Sequence, residues 1–339
     1  MAGRRTNLAL LVLLALALAT GGLAFAIGTS AVRWVVVAHG AVALGIVLLA
    51  PWKSAIARRG FRRHADSPSS VASIVFTALV VVALAAGIGH ATGLVRAVAG
   101  LTAMQVHVSA ALAAVPFGIW HVVVRRARPR WTDLSRRTLL RSGALAAGSL
   151  AAYGVVSGLV VVTRLPGRRR RFTGSYATGS SRPEAMPVTQ WLNDRVPRID
   201  PASWAVQVHA GPQGSTRFSL LDLDAMREPV RATIDCTGGW YAEQFWEGVR
   251  LDRLLVVDAA EVRSISVRSM TGYARRFPSR DLNRLWLATR VGGSPLSPGH
   301  GFPARLVAPG RRGFWWVKWV VEVASSETPW WWQPPFPLT

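Results

Sequence analysis

Asp235-Cys236-Thr237-Gly238-Gly239-Trp240, followed by Trp246-Glu247-Gly248-Val249-Arg250-Leu251 and Leu254-Leu255, contains the single cysteine of a 339-residue chain. One cysteine rules out an intramolecular disulfide, and no CxxC or Cys/His zinc spacing accompanies it. A lone thiol can be an inert core residue, a nucleophile or a ligand for a soft metal, and composition does not choose among them. The local sequence narrows the choice. Cys236 directly follows a β-rich run, and Gly238 and Gly239 allow close backbone approach to a bulky group. A thiolate is a soft ligand suited to a high-valent, sulfur-rich metal centre.

Around this stretch the pattern is short and alternating. Trp204–Val208, Ala232–Asp235, Ser264–Val267 and Ala304–Val307 read as strands, and Ser219–Met226 and Leu251–Val257 as short helical or turn segments. Strands dominate, and no βαβ rhythm with a Gly-rich phosphate loop is present, so no Rossmann site is expected. The expectation is an α+β, β-rich domain over 187–339, reached through a basic, Gly/Ser-rich linker at 166–186.

The first half differs sharply. Residues 1–165 are dominated by Ala, Leu, Val and Gly, and about 20 mostly apolar residues suffice to cross a bilayer. Five windows reach that length: Leu8–Ile27, Trp34–Trp52, Val71–Val95, Leu101–Val124 and Ser142–Thr163. They predict an α-helical membrane domain of about five spans. The first could be a cleavable signal peptide, but its length and the immediate second span favour retention.

The net charge of +23 invites a nucleic-acid reading, yet many of the arginines sit in short loops between apolar runs, as in membrane proteins. No nucleic-acid partner is expected; membrane lipid is. Arg4 and Arg5, then Lys53 with Arg58, Arg59, Arg62 and Arg63, then Arg125 to Arg137 alternate with sparsely charged loops at Arg33 and Arg96. Basic loops stay cytoplasmic, so five spans place the C-terminal domain outside the cytoplasm in a multi-pass cell-membrane protein. Arg164 and Arg168 to Arg171 lie on that outer side and break the rule locally. Ser135-Arg136-Arg137-Thr138-Leu139-Leu140-Arg141 before an Ala/Gly/Leu run resembles a twin-arginine signal. The alternative is an ordinary basic helix flank.

Five of seven histidines, His39, His64, His90, His107 and His121, fall in this half. Ionisable residues within a membrane are costly and are functional candidates by default. His107 and His121 stand 14 residues apart on one predicted helix, nearly on one face and about 21 Å apart. His39 and His107 lie at similar depth on different spans, about 9 Å from the outer loops at 1.5 Å per residue. That pair is the expected ligand set of an outer b-type haem, with His90 as competitor. The alternative is that these histidines bond to helix carbonyls or sit at interfaces.

Three ordered blocks carry a resemblance. The first is Asn193-Asp194-Arg195-Val196-Pro197, leading to Ile199-Asp200-Pro201 and Trp204. The second is the Cys236 stretch, a C-x-x-G-W … W-x-G-V-x-L-x-x-L-L pattern. The third is His300-Gly301-Phe302-Pro303-Ala304-Arg305-Leu306-Val307-Ala308-Pro309-Gly310, then Gly313 and Trp316-Val317-Lys318-Trp319. Together they resemble the molybdopterin-binding domain of the sulfite oxidase family over most of residues 187–325.

That resemblance implies Mo-molybdopterin as cofactor and Cys236 as the molybdenum ligand. It further implies a pterin site made by Asn193, His300, Arg305 and the backbone of Trp316, Val317 and Lys318, with Thr271 as an additional contact. Arg305 and Lys318 suit a pterin phosphate through charge-assisted hydrogen bonds; a solvated face is assigned to Arg311 or Arg312 before Arg305. Tyr241 and Tyr273 are candidate donors near the metal. Trp330-Trp331-Trp332 reads as packing or membrane contact.

The chain departs from sulfite oxidase proper. Where those enzymes place Arg beside the opening Asn and again after the metal Cys, this chain has Leu192 and Gly239-Trp240. The Trp240 version is similar to a bacterial extracytoplasmic branch that includes a methionine-sulfoxide reductase served by a separate membrane haem protein. The implied activity is oxygen-atom transfer, including sulfoxide reduction, with electrons exchanged with a membrane haem, a quinone or another redox partner. The rival readings are a sulfite-type oxidase and a catalytically idle binding domain on a membrane anchor.

Overall fold

The structure is a computed structural model that describes residues 2–61, 68–124, 130–133, 135–191, 194–211, 214–257, 262–334 and 336. The chain divides into two compact units, residues 1–25 with 30–174 and residues 26–29 with 175–339.

The first unit is helical: α1 (Ala2–Ala26), α2 (Val32–Phe61), α3 (Pro68–Thr92), α4 (Ala103–Val124) and α5 (Arg136–Val162). All five helices are long and apolar enough to cross a membrane, by length and composition. Their large apolar side chains point outward, as at Val81, 57% exposed, and Ile119, 61% exposed. Such a surface needs an apolar environment to cover it. Helix α3 packs on α4, and α2 on α5.

Helices α1, α2 and α5 start earlier than the hydropathy windows because arginine is a good helix former and the windows register only the apolar part. Ser135 caps α5, its side chain accepting from Thr138 N, so Arg136 and Arg137 form the first turn of that helix. Span four was expected to begin at Leu101. It begins at Ala103 because Ala97–Val98 (β1) and Leu101–Thr102 (β2) pair as a small antiparallel hairpin first.

Polar contacts gather the basic segments at one end of this unit. The Arg4 guanidinium donates to both Asp133 carboxylate oxygens at 2.8 and 2.6 Å, and Lys53 Nζ donates to Asn7 Oδ1 at 3.1 Å. The start of α1, the α4–α5 connection and the latter part of α2 therefore share an end.

The second unit is built on two sheets. In the first, the long hairpin of β6 (Glu228–Cys236) and β7 (Trp240–Arg250) pairs with β3 (Tyr176–Ala177) and β10 (Trp286–Val291). Strands β11 (Ser294–Pro295) and β12 (Arg305–Val307) pair with β10. The second sheet has the order β5 (Ser215–Ser219), β4 (Ala205–His209), β13 (Val320–Ser326), β8 (Ser264–Ser269), β9 (Ala274–Pro278). Helix α6 (Leu220–Met226) starts with a capping box between Ser219 and Asp222, and α7 (Leu251–Leu254) is one short turn after β7. Trp246, Trp319, Phe277, Leu287 and Leu306 are fully buried in this core.

Each expected strand is present within a few residues of its predicted bounds, since alternation of apolar residues reports the buried face directly. The segment 166–186 is not a linker between the units. Residues up to Gly174 belong to the first unit and those from Ser175 to the second. There Tyr176 pairs in register with Trp240, and Ser175 and Tyr176 are buried.

Candidate active site

The β6–β7 hairpin places the cysteine. Cys236 is the last residue of β6 and pairs in register with Trp240. The turn between them closes through Gly239 N donating to Cys236 O at 3.2 Å, with Gly239 at φ +89°, a conformation that favours glycine. Gly238 N points at Cys236 Sγ (3.4 Å), and the Thr189 hydroxyl lies 3.7 Å from the same sulfur. Gly313 passes close behind: a Cβ there would lie 3.1 Å from Cys236 Cα. Burial pushes the thiol pKa up, while the Gly238 and Thr189 contacts and the Arg312 charge oppose that shift.

Behind the cysteine is a buried ion pair. Arg312 Nη1 donates to Asp235 Oδ1 at 2.6 Å, both side chains being 4% exposed, and Nη2 donates to Cys236 O at 3.3 Å. The Ser175 hydroxyl donates to the same carboxylate oxygen at 2.7 Å. The assignment of Arg312 to a solvated face is thus corrected: a carboxylate next to the cysteine needs a buried cation, and Arg312 supplies it. Arg311 is the more exposed of the two and pairs with Asp281 at 2.5 Å.

Arg305, the first residue of β12, is 1% exposed. Its Nη1 donates to His300 O at 3.1 Å and its Nη2 to Trp316 O at 3.5 Å, and its guanidinium carbon lies 5.1 and 5.6 Å from the ring centroids of Trp246 and Trp316. Its Nε has no hydrogen-bond partner among the described residues. Burial lowers its pKa to about 9, with the nearby Cys236 acting in the opposite direction. Lys318 Nζ donates at 2.7 Å to both Thr189 O and Gly299 O. Burial, then the Arg305 charge, brings it down to about 7. His300 is buried, its Nδ1 2.9 Å from Ser297 Oγ and its Nε2 3.1 Å from Met186 O. Burial, then Arg305, lowers its pKa. Trp316 and Val317 are buried, and Val317 O accepts from Leu306 N. Trp240 Nε1, on the residue paired with the cysteine, is buried with no hydrogen-bond partner among the described residues.

The structure therefore brings Cys236, Arg305, Lys318, His300 and the 316–318 segment into one neighbourhood. The surroundings of three other candidates are as follows. Thr271 is exposed in the β8–β9 turn, where its hydroxyl lies 3.0 Å from Ser269 Oγ. Tyr273 is buried, and its hydroxyl donates to Phe314 O; burial raises its pKa further. That proton is committed to a backbone carbonyl. Tyr241 is half-buried on β7, paired with Asp235 and Ala177, one residue past the Trp240 that pairs with the cysteine. Asn193 lies outside the described residues. Sequence reading missed Thr189, Asp235, Arg312 and Ser175. Only Asp235, a carboxylate in an otherwise apolar strand end, carried a readable signal.

The donor set fits an anionic, sulfur-rich cofactor. Unpartnered buried donors at Arg305 Nε and Trp240 Nε1, beside a thiol and a buried amine, are costly unless an acceptor meets them. Comparison with known proteins decides which acceptor. Residues 193–332 match the family model described as the oxidoreductase molybdopterin binding domain. That match spans about two fifths of the chain and includes Cys236, His300, Arg305 and Lys318. Mitochondrial sulfite oxidase of Rattus norvegicus is 29% identical over 175 residues, 41% of this chain and 32% of that protein. Nitrate reductase [NAD(P)H] of Hordeum vulgare is 27% identical over 177 residues, 39% of this chain and 19% of that protein. The chain thus spans a third or less of the length of these relatives. The sulfane dehydrogenase SoxCD of Paracoccus pantotrophus aligns at 23% identity and a TM-score of 0.37, over 39% of this chain and 40% of that one. Over this segment the chain is thus similar to sulfite oxidase and nitrate reductase, and the same segment sets the cysteine among buried cationic and neutral donors.

Proposed function

We propose that the chain is a membrane-bound molybdopterin-dependent oxidoreductase that transfers an oxygen atom outside the cytoplasm, with sulfoxide reduction as the reaction. Electrons come from a membrane redox partner. The observation that carries this reading is the set of unsatisfied or weakly satisfied buried donors beside Cys236. Cys236 holds molybdenum as thiolate, and the Arg305 and Lys318 charges favour that form. Arg305, Lys318 and His300, with Asn193 by resemblance, hold the pterin and its phosphate. When bound, the cofactor supplies two-electron oxygen-atom transfer.

Substrate choice follows from the donors. Where sulfite oxidases have an arginine after the metal cysteine, this chain presents Trp240, whose Nε1 is a neutral donor. A sulfite dianion loses charge-assisted hydrogen bonds worth about 1.5–3 kcal/mol each at such a site. A neutral sulfoxide oxygen needs only a neutral donor. Its reduction consumes two electrons and two protons and releases the sulfide and water. Purified protein should therefore reduce methyl sulfoxides with a reduced viologen dye and fail to oxidise sulfite with ferricyanide. Sulfite oxidation at a comparable rate would select the rival oxidase reading.

Orientation follows from charge. The contacts of Arg4 with Asp133 and of Lys53 with Asn7 put three basic segments at one end of the helical unit. Basic ends stay in the cytoplasm, which exports the domain after α5. Arg136 and Arg137 sit in the first turn of α5, where positive charge opposes the helix dipole. Their charge there does not serve helix stability, and a twin-arginine signal accounts for it. Reporter fusions after Ser181 should score as extracytoplasmic, and Arg136→Lys with Arg137→Lys should strand the domain inside. Cytoplasmic fusions refute the topology; normal export of the double variant leaves an ordinary helix flank.

A further inference from the structure

We infer that His39 and His107 are the two axial ligands of one haem held within the helical unit. The inference deepens the proposed electron route, but the ligand geometry stands without it. His39, on α2, and His107, on α4, have ring centroids 5.8 Å apart with planes at 82°. A metal–imidazole nitrogen bond of about 2 Å puts two imidazoles trans on one ion with centroids roughly 6 Å apart. The rings already have that separation.

The proton positions follow from their partners. His39 Nδ1 lies 3.1 Å from both Ala17 O on α1 and Thr20 Oγ1, whose own hydrogen goes to Leu16 O at 2.6 Å, and His107 Nδ1 lies 2.7 Å from Ala83 O on α3. A carbonyl only accepts, so each Nδ1 carries the hydrogen and each neutral ring keeps its lone pair on Nε2. Neither Nε2 makes a hydrogen bond among the described residues. A carbonyl on one ring nitrogen and an open lone pair on the other is the arrangement that orients metal-binding imidazoles.

Glycine on the neighbouring helices makes room for the rings. A Cβ at Gly21 of α1 would lie 3.2 Å from His39 Cε1, and one at Gly87 of α3 would lie 2.9 Å from His107 Nδ1. Each imidazole is seated in a notch that a side chain would fill.

Haem is favoured over a bare ion by ligand count. Among the described residues no group of three or more His, Cys, Asp or Glu side chains can hold a metal. A tetrapyrrole brings four nitrogens, so two imidazoles complete six-coordination. The other membrane histidines do not join this pair. His90 Nε2 is bonded to Gly174 O at 2.9 Å, and His121 Nδ1 lies 2.9 Å from Ser73 Oγ with its ring stacked on Phe76. One haem per chain is expected.

The test uses full-length protein purified in detergent from cells supplied with haem. We expect one non-covalent haem per chain and a low-spin spectrum that sharpens on dithionite reduction. His39→Ala and His107→Ala should each lose the low-spin signature while molybdenum content is retained. In His107→Gly, added imidazole should restore it, which a misfolded variant would not allow. Haem-free wild-type protein, or a low-spin spectrum unchanged in both alanine variants, overturns the inference. Molybdenum without haem leaves the proposed oxidoreductase intact, and haem without molybdenum refutes that reading while sparing this one.

Discussion

Serine in place of Cys236 should lower turnover by at least ~10³-fold, the scale expected when a member of the reacting centre is removed. The variant replaces one sulfur by oxygen and leaves the scaffold alone. The tight turn depends on Gly239 at φ +89° and on the Gly239 N to Cys236 O bond, neither of which involves the thiol. What changes is the ligand: a hydroxyl is harder and far less acidic than a thiol, so a soft, electron-rich bond to the metal is lost. Pterin content should fall less than activity, because Arg305, Lys318 and His300 hold the cofactor elsewhere in this reading. The measurement is molybdenum and pterin per chain beside turnover, wild type being expected near one of each. Full activity in Cys236→Ser would remove the cysteine from the metal's coordination sphere.

How much of this was legible in the sequence depends on how far each signal reaches. Strands such as β6 and β8 were legible because burial alternates residue by residue, and the alternation is local. The helices were legible from length and hydropathy. Depth counting placed His39 and His107 at one level because helical rise is fixed, and their rings are 5.8 Å apart. The carbonyls of Ala17 and Ala83 that orient those rings were not legible, since any helix residue offers one. Residues 166–186 looked like a linker by composition. Yet Tyr176 completes a sheet edge beside Trp240, a pairing across 64 positions that composition does not encode. Arg312 was misread for the same reason, as its partner Asp235 is 77 positions away. Thr271 and Tyr273 were placed near the cofactor by resemblance and chemistry alone. In the β8–β9 hairpin one is exposed and the other donates to Phe314 O.

Breaking the Asp235–Arg312 pair from one side should destabilise the molybdopterin-binding domain by about 3–5 kcal/mol, because the remaining charge stays buried. Arg312→Met takes away the guanidinium, while the Ser175 hydroxyl still donates to the Asp235 carboxylate at 2.7 Å. Asp235→Leu leaves a guanidinium with its 3.3 Å bond to Cys236 O. The double variant removes both charges, and apolar replacement of a buried pair is often neutral in stability. Combined, the two substitutions should therefore recover most of the loss, a coupling that distinguishes a true pair from two independent packing sites. Activity should behave differently. Arg312 also donates to the carbonyl of Cys236, and its neighbour Gly313 packs against the Cys236 Cα. The double variant should fold nearly as well as wild type yet remain impaired, because the ligand strand has lost the group that fixes its end. Unfolding followed by tryptophan fluorescence reports this domain through the fully buried Trp246 and Trp319. Single variants as stable as wild type would show that the pair contributes little. A double variant with both stability and activity restored would show that Arg312 only neutralises Asp235 and does not position the cysteine.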